Sequence, residues 1–155
     1  MTNIKQIKNL REKTGVSVAE CRRALEAAAG DENRALDWLK TTSAKMADKK
    51  NSRTLGAGAV ASYIHSNGTL GALVELRSET DFVSKNQAFR NLADELAMQV
   101  AATAPTTAED LLAQPFIKEP NQTIKDLIRS NVQKFGERIV VGRFVRFDAR
   151  EDLSP

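Results

Sequence analysis

The sequence predicts an α+β fold, in which a three-helix module precedes a core that packs helices on a small antiparallel sheet. Three observations support this prediction. Apolar residues recur at helical spacing over the first 43 residues, Asn67-Gly68 lies between two alternating segments as in a β-hairpin, and RIVVGRFVRF at residues 138–147 is typical of a strand. We expect four regions: a helical domain at 1–44, a basic linker at 45–56, the core domain at 57–150 and a tail at 151–155.

Each helix of the module has a start or stop signal. The first ends before Gly15, a residue suited to a C-cap, and the second begins with Ser17 and Glu20 in the form of a capping box. Gly30 stops the second helix and Asp31 caps the third. The stripe of the first helix is Ile4, Ile7 and Leu10. The faces expected to be buried on the other two are Cys21, Ala24, Leu25 and Ala28, and then Ala35, Leu36 and Leu39 with Trp38.

In the core sequence, the spacing of apolar residues changes from helical to alternating and back again. Two strands are expected around Ser66–Gly68, and the final strand closes the domain. The elements expected between them are a long amphipathic helix at 86–104, a break followed by a short turn or helix to Ala113, a proline-bounded extended piece at 114–122, and an amphipathic helix at 123–136 closed by Gly136.

Composition indicates an ordinary cytoplasmic protein. Of 155 residues, 41% are hydrophobic and 28% charged, and no apolar run approaches the roughly 20 residues of a membrane span. The N-terminus lacks the apolar core of a signal peptide, so we expect neither secretion nor membrane contact. Cys21 is the sole cysteine and cannot form an internal disulfide.

The net charge of +3 permits contact with nucleic acid without indicating it. Basic residues cluster at Lys45–Arg53, where no aromatic side chain is interleaved for stacking on bases. A solvated linker therefore fits this cluster better than a phosphate-binding patch, and we expect that no direct nucleic-acid contact is required.

Groups of side chains that could support catalysis are scarce in this sequence. His65 and Cys21 fall on different predicted modules, which supports neither a zinc site nor a Cys-His pair. GAGAVA at residues 56–61 fits a dinucleotide pattern formally, but a basic linker precedes it and a strand follows it. Glu75, Glu79 and Asp81 resemble solvated surface acids. We expect no enzyme activity, no cofactor and no metal.

The last strand has apolar residues on both alternation sets. Ile139, Val141, Val145 and Phe147 form one set, and Val140 and Phe144 form the other. A half-buried strand normally has one polar face. The pattern leaves two alternatives open: the second face meets another subunit, or the helices and linker of the chain itself cover it.

A large aromatic residue stands where a connecting loop is expected. In ELRSETDFVSKN, residues 75–86, a strand ends in polar residues and Asp81-Phe82 follows. A lone aromatic of this kind is more often a lid on its own core than a functional group, so residue type alone does not decide its role.

Two stretches resemble the signature segments of a known family. LREKTGVSVAECRRAL at residues 10–25 and ELRSETDFVSKN are similar, in order, to those of bacterial elongation factor Ts, the nucleotide-exchange factor for elongation factor Tu. The resemblance continues through SYIHSNGTLGALVEL, QPFIKEPNQTIKDLI and RFVRF. It implies a ubiquitin-associated-like N-terminal domain and a family-type core domain.

The resemblance also implies which residues meet the partner. The loop Thr80, Asp81, Phe82 and Val83 is expected to enter the nucleotide-binding domain of elongation factor Tu near its Mg²⁺ and phosphate site. This would promote GDP release and stabilise the nucleotide-free state. Val18, Ala19 and Arg22 match positions that meet the same domain. His65 matches a partner contact, with a structural histidine as the alternative.

Several departures from the family pattern matter. The chain has one core half where longer members have two, which favours a homodimer through the core. TAEDLLA passes almost directly to QPFIKEP, without a helical segment that usually intervenes, and Arg77 and Arg22 stand where Asn and Lys are common. A rival function is an adaptor that binds a partner helix and RNA without exchange activity, but it leaves TDFV unexplained.

Overall fold

The computed structural model describes residues 3–50 and 52–151, with the backbone alone for residues 46–50. Helices and strands are combined as predicted, in an α+β fold. The elements in chain order are α1 (Ile4–Thr14), α2 (Val18–Ala27), α3 (Glu32–Lys50), β1 (Ala57–Ile64), β2 (Leu70–Ser78), α4 (Asp81–Ser84), α5 (Gln87–Thr103), α6 (Ala108–Ala113), β3 (Pro115–Phe116), β4 (Glu119–Thr123), α7 (Ile124–Phe135) and β5 (Val140–Asp148).

The chain divides into two compact units. The first comprises α1 to α3 together with Arg129–Glu137, and the second comprises Arg53–Ile128 with the chain from Arg138 onward. The boundary therefore passes through α7. Ser43, on α3, is buried, and its hydroxyl donates to the carbonyl of Arg129 at 2.9 Å within the first unit.

The predicted caps set the ends of the first three helices. Gly15 follows α1 with φ 69°, the left-handed conformation that favours glycine. The Ser17 hydroxyl accepts from the N–H of Glu20 at 3.2 Å, and the Asp31 carboxylate accepts from a backbone N–H in the first turn of α3 at 2.9 Å. Asn3 also caps α1, with Gln6 completing a capping box that was not among the predicted caps.

The core of the first unit consists largely of the predicted residues. Leu36 and Trp38 are only partly buried at its edge. Each fully buried leucine contributes roughly 1.5–3 kcal/mol relative to exposure, which is the main driving force for so small a unit. The buried residues are Leu10, Val16, Cys21, Ala24, Leu25, Ala28, Ala35 and Leu39.

Helix α3 extends further than predicted. Residues 45–50 of the predicted linker are helical, because this stretch contains no glycine or proline and consists mostly of good helix formers. Residues 54–56 lead into β1 without regular structure, whereas residue 51 lies outside the described residues. The predicted tail lies outside them as well, apart from Glu151.

The predicted hairpin forms the first two strands of an antiparallel sheet ordered β1-β2-β5. At the turn, the N–H of His65 donates to the carbonyl of Leu70, and the N–H of Gly68 donates to the carbonyl of His65, each at 2.8 Å. Gly68 has φ 71°, which explains the preference for glycine after Asn67.

One face of this sheet packs against α5. Strands β1 and β2 present mostly small or branched residues to this helix, and alanines on β1 let the helix approach closely. The helix buries Phe89, Leu92, Ala93, Leu96, Ala97, Val100 and Ala101, and the central strand buries Ala72, Val74 and Leu76.

A β-bulge corrects the predicted alternation of β5. Leu76 pairs with Val141 but Val74 pairs with Phe144, so Gly142 and Arg143 together face one residue of β2. The extra residue reverses the faces. Val141 and Phe144 therefore share the face that packs on α5, and grouping Val141 with the later Val145 and Phe147 was wrong. Those two lie on the opposite face with Val140.

The extended piece after α6 forms a two-stranded ribbon of β3 and β4. Gln99, fully buried on α5, holds the ribbon: its amide nitrogen donates to Gln114 Oε1 at 3.2 Å and to the carbonyl of Pro115 at 3.1 Å, and its amide oxygen accepts from the N–H of Ile117 at 3.1 Å. Gly136, with φ 71°, follows α7 as predicted.

Candidate functional site

Residues 80–83 form a braced helical turn rather than an open loop. The Ser78 hydroxyl donates to the carbonyl of Thr80 at 3.0 Å, directly after β2. The N–H of Lys85 then donates to the carbonyl of Asp81 at 3.0 Å, which closes the turn α4. Val83 is buried beneath it. The backbone at this position is therefore fixed from within.

Phe82 projects from this turn into solvent. Its side chain is 87% exposed, the highest exposure among the large hydrophobic residues described. A lid on its own core would be buried, so that alternative is wrong. A phenyl ring exposed to water is less favourable by about 2–3 kcal/mol than a buried one, and burial in an apolar cleft of another protein would recover this free energy.

Asp81 is an ionised and exposed neighbour of Phe82. Its carboxylate accepts from the Lys85 ammonium at 2.9 Å, one helical turn away. This hydrogen bond and the Lys85 charge hold the pKa of the Asp81 carboxyl below its usual value. The pair is exposed on the surface, so it orients the carboxylate but stabilises the fold little.

A second set of contacts braces the segment before the turn. The Glu79 carboxylate accepts from the backbone N–H of Arg138 at 2.7 Å and from the guanidinium of Arg53 at 3.4 Å. The Arg138 guanidinium in turn donates to the carbonyl of Arg53 at 2.8 Å. Glu79 therefore has a structural role here, tying the end of β2 to the entries of β1 and β5.

His65 is exposed at the other end of the hairpin. The Tyr63 hydroxyl lies 3.0 Å from its Nδ1. The nine-residue strand β2 separates this end from Thr80, a span of about 27 Å at roughly 3.4 Å per residue. The structure therefore does not bring His65 and Phe82 together.

The remaining predicted contact residues lie on α2 in the first unit. Val18, Ala19 and Arg22 are all exposed, and Val18 is 50% accessible. The Arg22 guanidinium lies 3.9 Å from the Glu26 carboxylate. The opposite face of the same helix carries the buried Cys21 and Ala24, so the predicted division between surface and core on α2 is confirmed.

The sheet face away from α5 is an exposed apolar surface. Val145 pairs with Leu73 on this face. Phe147 and Ile64 both pair with Gly71, and because glycine has no side chain, no group lies between them. The residue pattern of β5 predicted only part of this surface, and the contributions of β1 and β2 were not expected. In AVASYI, residues 59–64, one alternation set contains Val60 and Ile64 and the other contains two alanines and Tyr63, and that signal could have revealed two apolar faces. The exposed apolar sheet face consists of Val60, Ile64, Leu73, Val145 and Phe147.

One end of this face is charged. The Glu75 carboxylate contacts the Arg143 guanidinium at 2.9 Å and the Arg77 guanidinium at 3.8 Å. The hydrogen bond from Arg143 is the main reason that the pKa of the Glu75 carboxyl is lowered. Arg77 also donates to the carbonyl of Leu55 at 3.1 Å. The bulge places Gly142 against this carboxylate, where a Cβ would overlap it.

No metal-type cluster of His, Cys, Asp and Glu occurs among the side chains that the structure describes, in residues 3–45 and 52–151. Cys21 is buried, and desolvation raises the pKa of its thiol. A thiol in this setting is a poor nucleophile. In the part of the chain that the structure describes, no helix is long and apolar enough to cross a membrane.

Comparison with known proteins supports one family. A family model described as "Elongation factor TS" matches residues 79–154. Elongation factor Ts of Oleidesulfovibrio alaskensis is 36% identical over 186 residues, covering 91% of this chain and 94% of the relative. The protein of that name from Thermodesulfovibrio yellowstonii is 40% identical over 185 residues, covering 91% of this chain and 92% of the relative.

A third relative, elongation factor Ts of a Nostoc species, is 41% identical over 143 residues, which cover 92% of this chain but 45% of that longer protein. The alignment of 186 residues with the first relative exceeds the 155 residues of this chain, so that relative carries residues that this chain lacks. This agrees with the predicted omission of a segment. At 36% and 40% identity over more than nine-tenths of two relatives, this chain belongs to the elongation factor Ts family of translation elongation factors.

Proposed function

We propose that this chain is a guanine-nucleotide exchange factor for elongation factor Tu, and that Thr80–Val83 enters the partner near its Mg²⁺ and phosphate site. The observation that carries the proposal is Phe82, 87% exposed on a turn that is internally hydrogen-bonded. An exposed aromatic side chain on a rigid support is pre-organised for insertion, because little conformational freedom is lost on binding.

The insertion would act as a wedge. Burying Phe82 between partner helices provides about 2–3 kcal/mol, and the ionised Asp81 can accept hydrogen bonds at the entry of the cleft. Mg²⁺ and the nucleotide phosphates need near-ideal geometry, so a small helix displacement weakens their binding. A factor that binds the nucleotide-free partner more tightly than the GDP-bound form must weaken GDP binding reciprocally.

This mechanism requires no covalent step in the exchange factor itself. The chain acts as a binding protein rather than an enzyme, and it needs no cofactor, metal or nucleic acid of its own. Its working compartment in this proposal is the cytoplasm, where elongation factor Tu operates.

The other contact residues extend the interface. We assign Val18, Ala19 and Arg22 of the ubiquitin-associated-like helices to the nucleotide domain of the partner, and His65 to a further contact. All four residues are exposed and therefore available. Because about 27 Å of β2 separates His65 from Thr80, the partner must cover the hairpin lengthwise.

The exposed apolar sheet face is assigned to a second copy of this chain. Monomeric proteins rarely expose contiguous apolar patches of this kind, and a sheet face on each copy would form a two-layer sandwich. The charged end formed by Glu75, Arg77 and Arg143 would lie at the rim, where polar groups remain solvated.

The test is GDP release. Elongation factor Tu loaded with fluorescent GDP is mixed with excess unlabelled GDP, and substoichiometric amounts of this chain should accelerate release. An unchanged rate over a range of concentrations would overturn the proposal. A matched pair of variants, Phe82→Ala and Ile117→Ala, separates the wedge from exposed apolar surface in general, because both side chains are exposed within the second unit.

A further inference from the structure

Tyr63 and His65 form a contact that the proposed mechanism does not yet use. The two residues are two positions apart at the end of β1, so their side chains lie on the same face. The Tyr63 hydroxyl is 3.0 Å from Nδ1 of His65. The two rings are 6.2 Å apart between centroids and inclined by 41°, so they meet through the hydroxyl rather than by stacking.

We propose that Tyr63 is a positioning residue that holds His65 as the Nε2–H tautomer and directs this N–H outward to an acceptor oxygen of the partner. The proposal rests on the proposed function, because it deepens the role of His65 in partner binding. The partner group implied is a backbone carbonyl or a carboxylate, since either accepts from an imidazole N–H.

The hydrogen-bonding chemistry sets the direction of the Tyr63–His65 contact. A phenolic hydroxyl is a good donor, and a neutral imidazole accepts at one nitrogen and donates from the other. Among the described residues, the Tyr63 hydroxyl is the one hydrogen-bond partner of the imidazole. With Nδ1 accepting from Tyr63, the proton of the neutral ring must lie on Nε2.

The backbone and the neighbouring strand restrict both residues. The backbone of His65 donates to the carbonyl of Leu70 and accepts from Gly68, each at 2.8 Å, which fixes the origin of the side chain. Tyr63 is half-buried and pairs with Ala72 on β2. His65 is therefore held through its backbone and through Nδ1, while Nε2 has no hydrogen-bond partner among the described residues and can face a partner protein.

The first experiment reads the tautomer directly in the free protein. His65 is the only histidine, so its two-bond ¹⁵N–¹H correlations in alkaline buffer, where an imidazole is neutral, are unambiguous. Wild type should be predominantly the Nε2–H tautomer. Tyr63→Phe keeps the ring but removes the hydroxyl, and it should lower the tautomer ratio by about 3–10-fold, the value of one net hydrogen bond. A predominant Nδ1–H form, or a ratio unchanged by the substitution, would overturn the inference.

The second experiment measures affinity for nucleotide-free elongation factor Tu. Tyr63→Phe should weaken binding by about 3–10-fold when His65 is present and should have no effect in a His65→Ala background. A glutamine amide can place its N–H near the Nε2 position, whereas an asparagine amide places it near Nδ1. His65→Gln should therefore retain more affinity than His65→Asn.

The Phe82→Ala variant distinguishes a failure of the Tyr63 positioning role from a failure of the proposed exchange function. If Phe82→Ala impairs exchange but Tyr63→Phe acts equally with and without His65, the positioning role fails and the proposed function stands. If Phe82→Ala also has no effect on exchange, the proposed function itself fails. Equal affinities for His65→Gln and His65→Asn would likewise contradict the assignment of Nε2 as the donor.

Discussion

Adjacent residues of one helical turn have opposite environments. Phe82 is 87% exposed, whereas Val83 is 9% exposed beneath the same turn. Successive helical residues point about 100° apart, so a single turn can anchor itself with one side chain and present the next. Thr80–Val83 therefore combines an anchor and an exposed contact within four residues.

Phe82→Ala should leave stability nearly unchanged, because exposed substitutions usually alter it by about 0.5 kcal/mol or less. If the full 2–3 kcal/mol of burial is expressed in the transition state, catalysed GDP release should slow by about 30–150-fold. Thermal melting of the variant and GDP release over a concentration series measure the two effects together.

Val83→Ala is the matched control. Removing two buried methyl groups should cost about 1.5 kcal/mol and lower the melting temperature, with a smaller effect on exchange than Phe82→Ala. If Phe82→Ala melted early and exchanged normally, Phe82 would be part of the core and the wedge would be disproved.

At the scale of the element, α2 separates a packing face from an exposed face. Cys21, Ala24 and Leu25 are buried, while Val18 and Arg22, one turn apart, are exposed on the other side. An amphipathic helix of this kind stabilises its unit with one stripe and leaves the other available to a partner.

Arg22→Glu should weaken binding of elongation factor Tu several-fold without altering the melting curve, since it reverses the charge of an exposed side chain on the proposed contact face. Lys8→Glu on α1 is the control. The Lys8 ammonium lies 4.0 Å from the carboxylate of the glutamate four residues later, and the corresponding distance from the Arg22 guanidinium is 3.9 Å. Both substitutions therefore remove a similar ion pair. Equal losses for the two variants, measured by calorimetry, would argue for a general charge effect instead.

At the scale of the whole molecule, the exposed apolar sheet face favours self-association. Phe147→Asp should convert a species of about twice the 17.0 kDa chain mass into a monomer, because a charge within an apolar interface is costly to bury. Sedimentation equilibrium at micromolar concentration measures this.

Ile4→Asp, which places the same charge on an exposed apolar position of α1, should leave the dimer intact. Reducing agent should also have no effect, because the sole cysteine is Cys21. A wild-type chain that sediments as a monomer would contradict the assigned dimer face.

Acid should destabilise the second unit through two carboxylates. Hydrogen bonds from Arg143 and Arg150 hold the pKa values of Glu75 and Asp148, respectively, below their usual range. A carboxyl whose pKa is lowered on folding stabilises the native state above its unfolded pKa, and this contribution is lost as pH falls. We therefore expect the melting temperature to decline below about pH 4.

Asp148→Asn should flatten this decline, because Asp148 binds both Arg146 and Arg150, at 3.8 and 2.8 Å. Glu109→Gln is the control, since the Glu109 carboxylate has no ion-pair partner in the described part of the chain. Melting curves between about pH 7 and pH 2.5 at low salt give the comparison. Parallel curves for wild type and Asp148→Asn would contradict the expectation.

Residue patterns within short segments were sufficient to predict most of the helices and strands. Ser17, Asp31 and the glycines that follow α1 and α7 act through their own backbone neighbours, so their effects can be read from a few residues. The bulge at Gly142 could not be predicted in this way, because it exists only relative to the partner strand. The exposure of Phe82 depends on how a helical turn is oriented over Val83, and residue type alone does not determine that orientation.

Deleting one residue from the bulge would straighten β5 without turning it over. Gly142 and Arg143 together face one residue of β2, so after the loss of either one Phe144 would still pair with Val74, and Val145 and Phe147 would keep their present face. Arg146, whose Nε donates to the carbonyl of Ala101 at 2.9 Å, would likewise stay on the side of α5. Relatives with one residue fewer between Val141 and Phe144 should therefore present the same sheet face to a second subunit as this chain does.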